Sequence, residues 1–162
     1  MSFSTVLISA LLIGFVCGLR ALTAPAVVAW AAHRNWIDLS NTRLHFMSTT
    51  AAVAIFTLLA LGEFIADQLP SAPNRTDPAG LIPRIFLGAL CGAALLASET
   101  QSVAIGSLLG AAGGVAGAFS GYFVRTRLVK NFKIPDFVIA TLEDVLAIGA
   151  GIFVVSRFYF HS

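Results

Sequence analysis

Six ionisable side chains stand inside or at the edges of long apolar runs: Arg20, Glu63, Asp67, Arg84, Glu143 and Asp144. A charge at the centre of a membrane helix costs about 3 kcal/mol on insertion scales, so it faces the protein interior and pairs there. Glu143 and Asp144 lie about nine residues, or roughly 14 Å of helix, inside their run. A carboxylate at that depth suits two tasks, carrying a proton or cation, or holding a structural ion pair with Arg20 or Arg84. Adjacent residues on a helix point about 100° apart, so one of the two acids is enough for a central site. Glu63 and Asp67 are four residues apart and share a helix face. They read either as solvated acids at a helix end or as a proton or cation site at a cavity mouth. Arg20 is followed by Thr23 and Pro25. Proline removes a backbone donor and clashes with the preceding turn, and a broken helix offers unpaired N–H groups and a positive dipole end to an anion. A small carboxylate, a phosphate head group or an inorganic anion fits that chemistry. The plainer alternative is a kinked helix with Arg20 reaching for one interface.

Other chemistries lack their residues. No H-E-x-x-H, G-x-S-x-G or Gly-Lys-Ser/Thr sequence occurs, so no enzyme is expected. Three scattered histidines and two cysteines within apolar runs make no metal site and no disulfide framework, and nothing calls for a cofactor. The composition is 57% hydrophobic and 11% charged, against about 25% charged in soluble domains. The chain therefore reads as an all-α, polytopic membrane protein. Its length suits one transmembrane domain over residues 1–162. No basic segment precedes the first apolar run, so no cleaved leader is expected.

The apolar runs cover residues 4–32, 46–69, 81–98, 102–124 and 134–158. The first would be about 43 Å long as one helix, against a hydrocarbon core of about 30 Å. It must tilt, bend or fold back, with the break expected between Arg20 and Pro25. This gives five spanning runs, or six segments. Trp30 and Trp36 read as interface anchors. The third run opens with Pro83, which suits a first-turn position, and Arg84. The fourth is rich in glycine. Gly106, Gly110, Gly113, Gly114, Gly117 and Gly121 recur at helical spacing and form a small-residue face for close packing, within the chain or across a homodimer.

Basic residues set the orientation. Segments 70–84 and 125–133 carry two and four of them, against two in 33–45 and none in 99–101. The first pair is placed in the cytoplasm. The basic run 125–133 is a topology signal, and no aromatic stacking platform accompanies it to suggest nucleic acid. An internal repeat is a further candidate. Gly-x-x-Cys-Gly occurs at 14–18 and 88–92, which would make 4–69 and 81–158 two halves of opposite topology, three segments plus three, as in many transporters.

At GLRALTAP, at Glu63-x-x-x-Asp67-x-x-Pro70, and at PRIFLGAL after the proline-rich loop, the chain resembles an uncharacterised bacterial integral-membrane family, domain of unknown function 4126. The resemblance covers nearly the whole chain and is supported by the Glu143–Asp144 pair. It implies a compact helical membrane fold and brings no substrate. The leading expectation from the residues is a small transporter or channel-like permease for a small solute or ion. Its site would be built from Arg20, Thr23, Glu63, Asp67, Arg84, Glu143 and Asp144. A lipid-head-group translocase or lipid-binding protein is the alternative, and a non-transporting assembly factor the third. A cavity open sideways to lipid would favour the lipid reading.

Overall fold

The computed structural model describes residues 1–66, 76–132 and 136–160, with side chains outside 129–137. Six α-helices make up the described chain: α1 (Phe3–Leu19), α2 (Thr23–His33), α3 (Thr50–Ala66), α4 (Pro78–Ser98), α5 (Val103–Phe132) and α6 (Asp136–Tyr159). A short 3-10 turn, His45–Ser48, precedes α3. Among the described residues, three helices are long and apolar enough to cross a membrane, within Pro78–Ser98, Val103–Leu128 and Val138–Tyr159.

The first apolar run is a hairpin. Ser2 Oγ accepts from Thr5 N–H at 3.3 Å and starts α1. The helix ends at Arg20, whose backbone is extended. The break falls on Arg20–Leu22, upstream of Pro25, for a backbone reason. Pro25 has no N–H to offer the Ala21 carbonyl, and its ring would crowd that carbonyl in a continuous helix. With the chain turned, Ala21 O accepts from Cys17 Sγ at 3.0 Å, and Pro25 sits in the first turn of α2, where a missing donor costs nothing.

Directions follow from the contacts. Met1 N pairs with Glu99 at 3.2 Å, which puts the start of α1 beside the α4–α5 turn. Trp36, just past α2, stacks at 5.6 Å on Tyr159 at the end of α6. Trp30 Nε1 donates to Thr57 Oγ1 at 3.1 Å, and His33 Nδ1 meets Ser48 O at 2.9 Å, so α3 runs antiparallel to α2. The start of α1 and the ends of α2, α4 and α6 therefore share one side of the molecule, called here the terminal side. The α1–α2 turn lies at depth between the two sides. Asn35, at φ 57°, closes α2 with Trp36 N–H bonded to Ala31 O and Asn35 N–H to Ala32 O, the paired bonds of a left-handed helix end.

α5 is the mast of one half of the protein. Gly106, Gly110 and Gly114 lie against the α4 backbone at Gly92, Gly88 and Arg84, while Gly113 and Gly117 lie against α1 at Leu11 and Phe15. Gly121 is buried. A Cβ on Gly110 would overlap the Gly88 carbonyl, and one on Gly113 the Leu11 carbonyl. The glycine face is thus consumed within the chain, on two neighbours. Gly14 and Gly88, the first glycines of the two Gly-x-x-Cys-Gly stretches, both meet Gly110, from helices running in opposite directions. Beyond that motif the halves differ, since α2 has 11 residues and its counterpart α5 has 30.

Two boundaries differ from the sequence reading. α4 starts at Pro78, so Pro83 is interior and Arg84 belongs to the helix, not to a loop. Asp77 and Pro78 supply the start that Pro83 was expected to give. α5 runs on to Phe132, so Arg125, Arg127 and Lys130 extend a helix instead of forming a loop. At about 45 Å the helix is longer than a hydrocarbon core of about 30 Å.

Candidate functional site

The charged side chains gather in one layer. Glu63 is 13 residues from the start of α3, Arg84 is 14 from the end of α4, and Asp144 is 15 from the end of α6. At 1.5 Å per residue these put all three about 20 to 23 Å from the terminal side. Arg20, one residue past α1, reaches the same layer. Most are buried, with Arg20 1% exposed, Arg84 6%, Asp144 8% and the neighbouring Glu143 9%, while Glu63 is half-buried.

Half of this layer repairs the broken helix. Glu63 Oε1 accepts from Ala21 N–H at 2.9 Å and Oε2 from Leu22 N–H at 2.8 Å. The carboxylate thereby satisfies two backbone donors of the turn that leads into α2 and complements the positive dipole end of that helix. Arg84 Nε donates to Gly18 O at 3.1 Å in the last turn of α1, where a cation is favoured, and its Nη1 donates to Gly80 O one turn back in α4. Nη2 of Arg84 stands 3.9 Å from Glu63 Oε1 and ties the two caps together. The anion expected at this positive helix end is therefore a side chain of the same protein. Glu63 is bonded into the α1–α2 turn and is not a solvated helix-end acid, and Arg84 does not count toward loop charge.

The other half faces a cavity. Arg20 Nε forms an ion pair with Asp144 Oδ1. Both residues line a cavity of about 550 Å³ whose floor is α2 and whose walls are α3 and α6. α2 contributes Thr23, Ala26, Val27, Trp30 and Ala31, with Arg34 and Trp36 beyond its end. Thr57, Ala60, Leu61 and Phe64 come from α3, and Ile148, Ile152 and Val155 from α6. From Thr23 to Arg34 the groove extends about 17 Å along the helix. A groove walled lengthwise by two helices opens opposite its floor, toward lipid. Leu61 and Ile148, on opposite walls, are 57% and 48% exposed.

Of the expected site residues, Arg20, Thr23 and Asp144 share the groove. Glu63 and Arg84 share the hairpin caps. Glu143 is buried beside Asp144 in sequence and does not line the groove, and Asp67 lies outside the described residues. The groove's mouth was missed. Arg34 lies 5.6 Å over the Trp30 ring, and Trp30 and Trp36, read as interface anchors, flank it. An arginine between two indoles just after an apolar run was the available signal. Among the described residues no group of three or more histidine, cysteine or acidic side chains could hold a metal ion.

Residues 7–157 match the family model described as "Domain of unknown function (DUF4126)". The chain belongs to that family. The description carries no activity. No curated protein and no solved structure matches the chain.

Proposed function

We propose that this membrane protein binds a lipid-like amphiphile in the groove between α3 and α6. The observation that carries the reading is the groove itself, which is apolar along its length, has charge at its ends and is open to the side. Its volume lies within the roughly 300 to 1,000 Å³ of ligand sites. Occupancy is tested by mass spectrometry of the protein extracted with native lipid. A co-purifying amphiphile is expected, and Ala60→Phe or Ile148→Trp, which fill the groove, should displace it while thermal unfolding is unchanged. An unaltered amount of bound lipid in both variants would defeat the reading.

Coupled movement of a small solute or ion is a second reading, and one feature favours it. Asp144 pairs with Arg20 at the inner end of the groove, so protonation of the carboxylate would free the guanidinium for an anion and bias two arrangements of the helices. Asp144→Asn should then abolish the pH dependence of ligand binding or flux in vesicles and leave a folded protein. A pH profile identical to that of the unaltered protein would remove this reading.

The orientation belongs to the same proposal. Without Arg84, five basic residues still come after α3 (Arg75) or at the end of α5 and just past it (Arg125, Arg127, Lys130 and Lys133), against Arg34, Arg43 and Arg157 on the terminal side. The former set is placed in the cytoplasm. An impermeant thiol reagent added outside intact cells should label Thr100→Cys and spare Arg127→Cys, and the reverse pattern would invert the protein.

A further inference from the structure

An apolar groove surrounded by lipid gains little by being apolar, because acyl chains are already in an apolar medium. Selectivity must come from the polar ends. At the inner end Arg20 is engaged by Asp144. At the mouth, Arg34 has no carboxylate within ion-pair distance among the described residues and lies over the Trp30 ring. The polar segment 33–45 carries Arg34 and Arg43 against one acid, Asp38, which is fully exposed and bonded to Ser40. The mouth is therefore cationic, with two indole rings of the kind that settle at the head-group level.

The dimensions fit one chain. The groove follows α2 for about 17 Å, and a lipid chain reaches about 15 Å, half of the hydrocarbon core. The open side leaves room for a second chain to remain in the bilayer. A guanidinium presents a planar fork of donors suited to phosphate oxygens.

We infer that the groove takes an acidic phospholipid from the leaflet on the terminal side, with one acyl chain along α2 and the phosphate at Arg34 between Trp30 and Trp36. This rests on the groove being an amphiphile site, as proposed above, and adds the head group, the leaflet and the residue that selects them.

The chain's two tryptophans both line the groove, so quenching of intrinsic fluorescence by lipids with brominated chains reports on the occupant directly. The full-length protein is placed in phosphatidylcholine vesicles containing a minor fraction of brominated phosphatidylglycerol, then in matched vesicles where only the phosphatidylcholine is brominated. Quenching by the acidic lipid should exceed that expected from its mole fraction. Arg34→Gln should lower the preference about tenfold, the factor for the roughly 1.5 kcal/mol at the low end of the range for a hydrogen bond to a charged group. Arg43→Gln, in the same segment and away from the groove, should leave it unchanged, which separates a site from general surface attraction.

Quenching by each lipid in proportion to its mole fraction that is unchanged by Arg34→Gln and falls in Ala60→Phe would overturn the head-group assignment and retain the groove. Quenching that follows mole fraction in every protein, Ala60→Phe included, would overturn the groove reading as well. Arg34-dependent quenching by a brominated fatty acid and not by the phospholipid would replace the phosphate with a free carboxylate and overturn the proposal as stated.

Discussion

α1, α4 and α5 touch backbone to backbone, whereas α2, α3 and α6 stand far enough apart to leave a cavity. The first trio is held by glycines at 14, 18, 88, 92, 106, 110, 113, 114 and 117, each placed against a neighbouring carbonyl or main-chain atom. In the second trio a Cβ on Gly62 or Gly149 would meet nothing within 4 Å, and one on Gly151 would meet only valine methyls. In lipid, where apolar burial drives little, close packing and polar bonds must supply association. One half of this protein uses the former. The other depends on a few polar contacts, chiefly Glu63 with the α2 start, Trp30 with Thr57, and Arg20 with Asp144. The rigid half is a frame, and the gapped half is where a ligand can be received.

The sharpest way to break that contrast is to give both halves the same insult. Gly110→Leu or Gly113→Leu should prevent folding altogether, because the side chain must displace a carbonyl of α4 or α1. Gly149→Leu should leave folded yield and thermal stability near those of the unaltered protein. Comparable losses at all three positions, read by detergent-resistant elution and melting, would show that the gapped half is packed as tightly as the frame.

Next in size comes the hairpin. Removing one partner of a buried pair costs about 3 to 5 kcal/mol, and Glu63→Ala also strands two backbone donors. It should therefore lower unfolding stability by at least that amount. Asp144→Ala breaks a pair beside a cavity that can admit water, so it should cost less. The double variants discriminate further. Arg20→Met with Asp144→Leu should recover most of the single-variant loss, since an apolar replacement of a buried pair is often neutral. Arg84→Met with Glu63→Leu should recover little, because the Ala21 and Leu22 N–H groups and the Gly18 carbonyl lose their partners whatever happens to the charges. Equal recovery in the two doubles would mean that Glu63 and Arg84 act as an ion pair and not as caps.

The sequence carried much of this and misled in instructive places. The excess length of the run 4–32, with Arg20 and Pro25 inside it, was enough to require a break, because a single helix could not fit the bilayer. Its outcome as a hairpin depended on Glu63 and Arg84, 42 and 66 residues away from the groups they bond, and no local pattern carries that pairing. The glycine spacing on α5 announced close packing, but which helices it would meet was a tertiary matter. Arg84 looked like a loop residue because Pro83 imitates a helix start. The true start, Asp77–Pro78, lies next to it in a stretch dense with prolines. The groove was illegible for a different reason. A cavity is made by what three helices fail to fill, and Ala60, Ile148 and Thr23 do not differ in type from their lipid-facing neighbours.

The smallest effect probes the same contrast at its most exposed point. Gly62 precedes Glu63 on α3, and a Cβ there would enter open space. Replacing a helical glycine by alanine reduces the freedom the chain loses on folding, which is worth about 0.5 to 1 kcal/mol where nothing obstructs the new methyl. Gly62→Ala should therefore raise the melting temperature slightly. Gly88→Ala, the same change on α4, should lower it, because the new methyl would meet the Gly110 carbonyl. If α3 owes its place to the Glu63 carboxylate and the Trp30–Thr57 bond, stiffening it leaves both intact, and lipid binding in the groove should not change. A fall in stability for Gly62→Ala would instead mean that α3 closes on another surface that needs the glycine, and the groove would then be only one of two states of this half of the protein.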